Sequence, residues 1–305
     1  MWPVSDEVYP AIEVGGSHVS TARVDLSGRR IIPATRRRMS LDSSAPADEI
    51  IREIASCARY SAGLESETWG VAIPGAFDFE AGIGFYADAG KFEALDGVPL
   101  RPLLAKWIDP APLDVAFVND ADAFLIGEWL GGAAVGEQRA VGITLGTGVG
   151  SAFIEDGRIV ADDPRVPPQG RVDLLSIGGR PLEDTISHRA ILAAYATNAG
   201  PDAAELTTVH GIADAARHGS AAARQALDDP FRALGAALAP WLEGFGASAL
   251  VVGGGMLGAW ELVEPSLRAG LASVAPGMER LRLAPSAGTE AAALLGAASR
   301  AAERA

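Results

Sequence analysis

The sequence predicts an α/β protein of two similar lobes around a cleft, and three observations carry that reading. Two glycine-rich turns, Glu13-Val14-Gly15-Gly16-Ser17 and Leu145-Gly146-Thr147-Gly148-Val149-Gly150, each follow a short apolar strand and lead into another strand. Helices alternating with apolar strands follow both hairpins, so the order of elements repeats. A chain of 305 residues suffices for two domains of ordinary size. The lobes are expected at residues 1–120, joined by the C-terminal helix near 290–305, and at 121–289.

The first lobe opens on a strand over Tyr9–Val14, its hairpin partner over Ser20–Asp25 and a third strand over Arg30–Leu41. Helical periodicity runs from Ala47 to Leu64, with Ser44 or Asp48 as the start signal. Thr68–Ile73 is a short apolar strand stopped by Pro74-Gly75. A short helix over Val98–Lys106, a strand over Leu113–Val118 and a helix over Ala121–Leu130 complete it. The second lobe repeats the opening with strands at Arg139–Leu145, Gly150–Glu155 and Arg158–Ala161. A loop rich in Pro, Gly and Arg covers 162–181. Helices follow at Glu183–Asn198, Thr208–His218 and Ala221–Gly244, then a strand over Ala249–Val252 ending in Gly253-Gly254-Gly255. The last helix spans Glu290–Ala305 and packs back on the first lobe.

Glycine lacks a Cβ, so the backbone N–H groups of such turns can approach phosphate oxygens. The strand–turn–strand setting differs from the strand–loop–helix of a P-loop. Two turns facing one cleft point to nucleotide-dependent phosphoryl transfer. The net charge of −14 argues against nucleic acid or an anionic membrane as partner. Arg36-Arg37-Arg38 is the one contrary cluster, read as a solvated strand or loop. No apolar stretch is long enough to span a bilayer, and MWPVSDEVYPAIEV lacks the basic and apolar regions of a signal peptide. A cytoplasmic protein is the expectation. The single cysteine, Cys57, rules out an internal disulfide and any site needing several thiolates; it is read as a core residue of the first helix.

Five segments in order, EVGGSHV, GVAIPGAFD, VNDADAFLIGE, ITLGTGVGSAFI and LVVGGGMLG, resemble the ROK family of repressors and sugar kinases across nearly the whole chain. The resemblance implies the two-lobed actin-like ATPase (ribonuclease H-like) sugar-kinase fold with an interdomain cleft. It implies that Asp120 is the general base and that Asn119 contacts sugar hydroxyls. From the residues alone, Asp120 is also a good helix N-cap, and a helix N-terminus would keep it ionised. Such a base is weak, yet phosphoryl transfer is helped mainly by positioning and charge neutralisation. Asp122 points to another helix face and is read as structural.

The resemblance makes Gly15, Gly16 and Ser17 the first phosphate turn, and Gly146, Thr147 and Gly148 the second. Gly254 and Gly255 match its adenosine segment, and Gly75 the turn approaching the sugar. Glu13 stands where the family has an aspartate that helps hold Mg²⁺, often through water. Glutamate keeps the charge one methylene further out, which Mg²⁺ tolerates. Lys91 falls on the segment that passes the sugar, so it is a sugar ligand or a solvated loop lysine. His18, His188 and His210 are read as exposed hairpin or helix-surface residues.

The chain departs from the family at a Glu-x-Gly-His motif and a cysteine cluster that hold a structural zinc and grip the sugar. Here Pro168 replaces the Glu and Arg171 the His, and the cysteines are missing, so no zinc is expected. Glu183 remains a sugar-ligand candidate or a helix N-terminal Glu. Arg171 is a substrate ligand or a solvated arginine.

The expected activity is transfer of the γ-phosphoryl of Mg²⁺-bound ATP to the 6-hydroxyl of a hexose. An altered site admits a modified acceptor, an amino sugar such as kanosamine (3-amino-3-deoxyglucose). A C7 cyclitol or plain glucose, with ATP or polyphosphate as donor, is the alternative. A catalytically silent sugar sensor is the reading from another class. A DNA-binding repressor finds no room for a helix-turn-helix before Tyr9. The resemblance also implies a homodimer.

Overall fold

Period-two alternation of large and small apolar residues organises the first sheet. The structure, a computed structural model, describes residues 7–63, 67–200 and 206–305. Met1–Asp6, on which the signal-peptide reading partly rests, and Leu64, the expected end of the first helix, lie outside the described residues. In Val8–Val14 (β1), Ile12 and Val14 enter one hydrophobic cluster and Ala11 another. Val71 and Ile73 of Thr68–Ile73 (labelled below) do the same against Ala72. The sheet is therefore covered on both faces, which parallel strands require.

The elements of the first unit are β1, His18–Asp25 (β2), Arg30–Ile31 (β3), Arg37–Ser40 (β4), Ala47–Ala58 (α1), Thr68–Ile73 (β5), Phe77–Asp78 (β6), Ile83–Gly84 (β7), Leu100–Trp107 (α2), Asp114–Asn119 (β8) and Asp120–Gly131 (α3). The sheet order is β3-β2-β1-β5-β8, with β4 also on β2. β1 and β2 are antiparallel; β1, β5 and β8 are parallel. The third strand expected over Arg30–Leu41 is split, because Pro33 opens a 3-10 turn over Pro33–Thr35. α1 starts after Pro46 rather than at Ser44 or Asp48; Ser44 donates its N–H and hydroxyl to Asp42 instead.

The second unit contains Arg139–Leu145 (β9), Val149–Glu155 (β10), Arg158–Ile159 (β11), Ser176–Ile177 (β12), Arg180–Pro181 (β13), Glu183–Ile186 (α4), His188–Ala199 (α5), Val209–Arg217 (α6), Ala221–Phe245 (α7), Ala249–Gly253 (β14), Trp260–Val274 (α8) and Arg282–Pro285 (β15). Its sheet order, β11-β10-β9-β14-β15, repeats the antiparallel hairpin followed by parallel strands. The helix expected over Glu183–Asn198 is broken at Ser187, whose hydroxyl accepts the Ala190 N–H and starts α5. α7 continues through Pro230 and Pro240. The segment expected to lack zinc ligands is anchored by buried Val166, Val172 and Leu182. Ser151 Oγ donates to Gly170 O at 2.7 Å and accepts the Val172 N–H at 2.9 Å.

The last helix, Thr289–Ala302 (α9), returns to the first unit, which comprises the chain up to Val135 together with Glu290–Ala305. Gly136–Thr289 forms the second unit. The first unit includes α3 because this helix is bound into it by close backbone packing on α9. A Cβ on Gly127 would stand 1.9 Å from Ala292 O, and one on Gly296 2.0 Å from Ala123 O. On β5, a Cβ on Gly70 would stand 1.9 Å from Ala297 O. Among the described residues no helix is long and apolar enough to cross a membrane.

Gly70→Ala forces α9 off the sheet at a site of backbone-to-backbone contact, an overpacking cost of about 1–3 kcal/mol. Thermal unfolding should show a midpoint lower by several degrees. Gly244→Ala, in α7 with nothing within 4 Å of the added methyl, should leave the midpoint unchanged or raise it.

Candidate active site

The β1–β2 hairpin closes with the Gly15 N–H donating to His18 O at 2.8 Å. The N–H groups of Gly16 and Ser17, both exposed, make no hydrogen bond among the described residues. The turn thus offers two adjacent donors to an anion. His18 is not the exposed hairpin residue expected. Its ring lies over the turn, so a Cβ on Gly15 would meet Cε1 at 2.5 Å, and its Nε2 stands 3.1 Å from Glu13 Oε2. Glu13 Oε2 is buried, and among the described residues it has no hydrogen-bond partner of good geometry.

Glu290, in the first turn of α9, comes to the same place. One ligand atom each of Glu13, His18 and Glu290 lies within 4.8 Å of the others. Glu290 is also bound by Arg36 and Arg38, at 2.8 and 2.9 Å. The basic run is therefore an ion-pair anchor for α9 rather than a solvated loop. Arg37 instead stacks on Tyr60, its Cζ 4.8 Å from the ring centroid. Of the cluster, Glu13 fits Mg²⁺ best: a buried orphan oxygen suits a hard cation that keeps much of its water. Glu290 is already neutralised by two guanidinium groups.

The parallel register Ile73↔Asn119 sets the turn after β5 beside the end of β8. A Cβ on Gly75 would stand 3.4 Å from Asn119 Nδ2. Asn119, not Asp120, is the N-cap of α3: its Oδ1 accepts the N–H groups of Ala121 at 2.9 Å and Asp122 at 3.3 Å. Its Nδ2 donates no hydrogen bond among the described residues. Asp120 is the first helical residue, with the Ala121 N–H 3.0 Å from its Oδ1. Burial pushes the Asp120 carboxyl above its ordinary value. The Lys91 ammonium and nearby backbone N–H groups pull it down, and the Glu13 charge adds to the rise. The helix N-terminus alone predicts an ionised and weak base; burial outweighs it and makes Asp120 a stronger one. Tyr86 is held beside it, its hydroxyl donating to Pro74 O at 2.6 Å. Burial first, and then the Asp120 charge, raise the Tyr86 phenol.

In the second unit the corresponding hairpin closes more tightly, over one residue fewer. Gly146 N–H donates to Gly148 O at 3.0 Å, and the N–H groups of Thr147 and Gly148 make no hydrogen bond among the described residues. Nothing lies within 4 Å of a Cβ built on Gly146. Glu183 braces this turn: its Oε1 accepts the Val149 N–H at 2.7 Å and would stand 2.6 Å from a Cβ on Gly148. One of its carboxylate oxygens is thus engaged structurally rather than free for a sugar. Arg171 forms a two-pronged pair with Asp173, at 2.6 and 3.2 Å, so its charge is committed nearby. Gly254 adopts φ of 100°, and a Cβ there would lie 2.1 Å from Leu145 O at the start of the turn. Gly255 faces the His188 ring, whose Cε1 would stand 3.4 Å from its Cβ.

Within the first unit, Glu13, Gly15, Gly16, Ser17, Gly75, Lys91, Asn119 and Asp120 come together. Within the second, Gly146, Thr147, Gly148, Glu183, Gly254 and Gly255 do. Two neighbours were missed. His18 covers the first turn, and His188 joins the second through its N–H, which donates to Gly146 O at 3.1 Å. Burial holds the His188 imidazole below its ordinary value and so neutral. Position beside a glycine turn was the signal for His18; for His188 the sequence carried none.

The family model described as the ROK family matches residues 9–162 and 178–304. A glucokinase of Thermotoga maritima is 28% identical over 279 residues, covering 84% of each chain. The crystal structure of a ROK family glucokinase from Streptomyces griseus, in complex with glucose and AMPPNP, superposes with a TM-score of 0.77 at 23% identity. It covers 97% of this chain and 99% of that one. An inorganic polyphosphate/ATP-glucomannokinase from Arthrobacter sp. strain KM gives 0.69 at 23% identity, covering 98% and 99%. These solved structures share the two-lobed actin-like fold.

Asp122, half-buried in the first turn of α3, reports on the surroundings of this helix start. Burial, and then the Asp120 charge, push its carboxyl up to about 7. A raised carboxyl favours the folded state while protonated and loses that contribution as pH climbs from about 4 towards 7, since an unfolded Asp ionises near 3.9. Asp122→Asn should therefore melt higher than the parent at pH 8 and show a smaller difference at pH 5.

Proposed function

The chain belongs to the ROK family, and on that premise we propose that it is a carbohydrate kinase transferring the γ-phosphoryl of ATP to a primary hydroxyl of a hexose or modified hexose. The observation that carries this is Asp120: a carboxylate raised by burial, at the start of a helix, with capping delegated to Asn119. A general base works best when its basicity is lifted towards the working pH. The acceptor hydroxyl gives its proton to Asp120 as its oxygen attacks phosphorus, and the diphosphate leaves with the bonding pair. Asn119 Nδ2 orients a hydroxyl of the acceptor. The free N–H pairs of the two glycine turns bind phosphate oxygens. Glu13 would hold Mg²⁺, directly or through water. The metal supplies charge neutralisation to the donor phosphates.

The acceptor is where the chain parts from its family. Pro168 and Arg171 stand in place of the Glu and His that the family pattern assigns to hydroxyl binding, and Arg171 is already paired with Asp173. A site that loses such hydrogen bonds discriminates differently. We therefore favour a modified hexose, an amino sugar above all, over plain glucose.

ADP release is measured with ATP against glucose, mannose, glucosamine, kanosamine, N-acetylated hexosamines and C7 cyclitols, and with polyphosphate as donor. One acceptor should turn over well above the rest. Asp120→Asn should lower its kcat by about 10²–10⁴. Activity of the parent should fall with acid through a pKa above the ordinary aspartate value. Preference for plain glucose would end the modified-acceptor reading, and ATP binding without turnover on any acceptor would favour a silent sensor.

Gly146→Ala probes the second turn separately. The methyl enters open space, so the melting temperature should be unchanged. It blocks phosphate approach, so KM for ATP should rise by at least about tenfold. An unchanged KM would detach this turn from the donor.

A further inference from the structure

Lys91 is one of two lysines in the chain. The other, Lys106, lies over the Trp107 ring at 5.4 Å. Among the described residues no carboxylate comes within salt-bridge distance of Lys91. Its position is nonetheless built with care. The next residue, Phe92, is fully buried and adopts a left-handed backbone, φ 59°, which is costly for a bulky side chain. Burial and neighbours hold it there: its N–H donates to Ser43 O at 2.9 Å, and its ring sits 5.6 Å from that of Tyr86. Gly90, before Lys91, is also left-handed, and its N–H donates to Glu93 at 3.1 Å.

This anchoring throws the lysine stem across the first phosphate turn. Its Cδ would lie 3.8 Å from a Cβ on Gly16, the nearest atom to that point. The head acts on Asp120 as the strongest charge favouring the carboxylate. The stem thus passes over the donor-binding turn, and the cation bears on the base.

We propose that Lys91 is a catalytic cation of the transfer step, bonding the phosphoryl group as it passes from the Gly15–Ser17 turn to the acceptor oxygen beside Asp120. This rests on the kinase reading above and replaces the choice between sugar ligand and solvated lysine. The acceptor oxygen forms the new P–O bond while the bond to the leaving diphosphate oxygen breaks and that oxygen takes the electron pair. The acceptor proton goes to Asp120. Lys91 keeps its protons throughout and offsets charge on the phosphoryl oxygens, which is greatest in the transition state. Lysine suits the task because a compact ammonium on a flexible stem can follow a moving group.

Lys91→Met keeps the stem and removes the charge. With the best acceptor, kcat should fall by about 10²–10³ while KM for acceptor and ATP stays within about threefold, the signature of an interaction strongest in the transition state. Lys91→Arg should recover about tenfold of the loss. A raised acceptor KM with kcat unchanged would make Lys91 a sugar ligand and overturn the proposal. Unchanged kcat and KM would overturn it as well. In both cases an active parent and an inactive Asp120→Asn would leave the kinase reading standing. A parent inactive on every acceptor and donor would remove both. Equal melting temperatures of Lys91→Met and the parent show that the loss is not one of folding.

Discussion

The half-buried seat of one carboxylate, Asp120, where a buried parallel strand becomes a helix, sets most of the first unit's chemistry. Asp120 begins α3 directly after β8, and burial of a charge is unfavourable unless hydrogen bonds or opposite charge compensate it. Here the compensation is partial by construction. Asn119 takes over the capping of the Ala121 and Asp122 N–H groups, so Asp120 is not saturated by its own helix. Lys91 supplies positive charge from a separate loop, and Glu13 works against it. The result is a basic carboxylate whose neighbours are all in place before any substrate arrives. Positions of this kind, held against their intrinsic preference, are where chemistry is expected.

That placement depends in turn on how closely α9 lies on the sheet. The face of β1, β2 and β5 towards α9 carries Ala11, Ala22, Gly70 and Ala72, and the opposite face carries Ile12, Val71 and Ile73. Small residues on one side let backbones meet, as the contacts of Gly70, Gly127 and Gly296 show. Large ones on the other supply burial, at about 1.5–3 kcal/mol for each side chain. The close approach also delivers Glu290 to Arg36, Arg38 and the Glu13–His18 pair. A helix at the far end of the chain thereby completes the electrostatic surroundings of the first turn.

The alternation of apolar strands and helices made both sheets legible, since burial on two faces leaves an unmistakable pattern in Thr68–Ile73 and Ala249–Val252. The glycine turns and Asn119-Asp120 were legible for the same reason: the backbone there restricts which residues can stand. Short-range detail was less so. Pro33 divided a strand that composition made continuous, and Ser187 capped a new helix inside one periodic run. Long-range partnerships left no trace. Nothing near Arg36 announces Glu290, and nothing near Gly148 announces that Glu183 will accept the Val149 N–H. The basicity of Asp120 was misjudged because helix position can be read from neighbours in sequence, whereas burial cannot.

The two glycine turns also explain each other. In each, one N–H closes the hairpin, that of Gly15 on His18 O and that of Gly146 on Gly148 O. The two following N–H groups then make no hydrogen bond among the described residues. Backbone donors are rarely left so in a folded protein unless water or a ligand meets them. The first turn adds a lysine stem over Gly16, and the second adds a carboxylate brace from Glu183 at Gly148. The first therefore has a positively charged side chain lying over its two N–H groups, a setting that favours an anion. The second is braced instead by a carboxylate, whose Oε1 accepts the Val149 N–H and so fixes the strand that follows the turn.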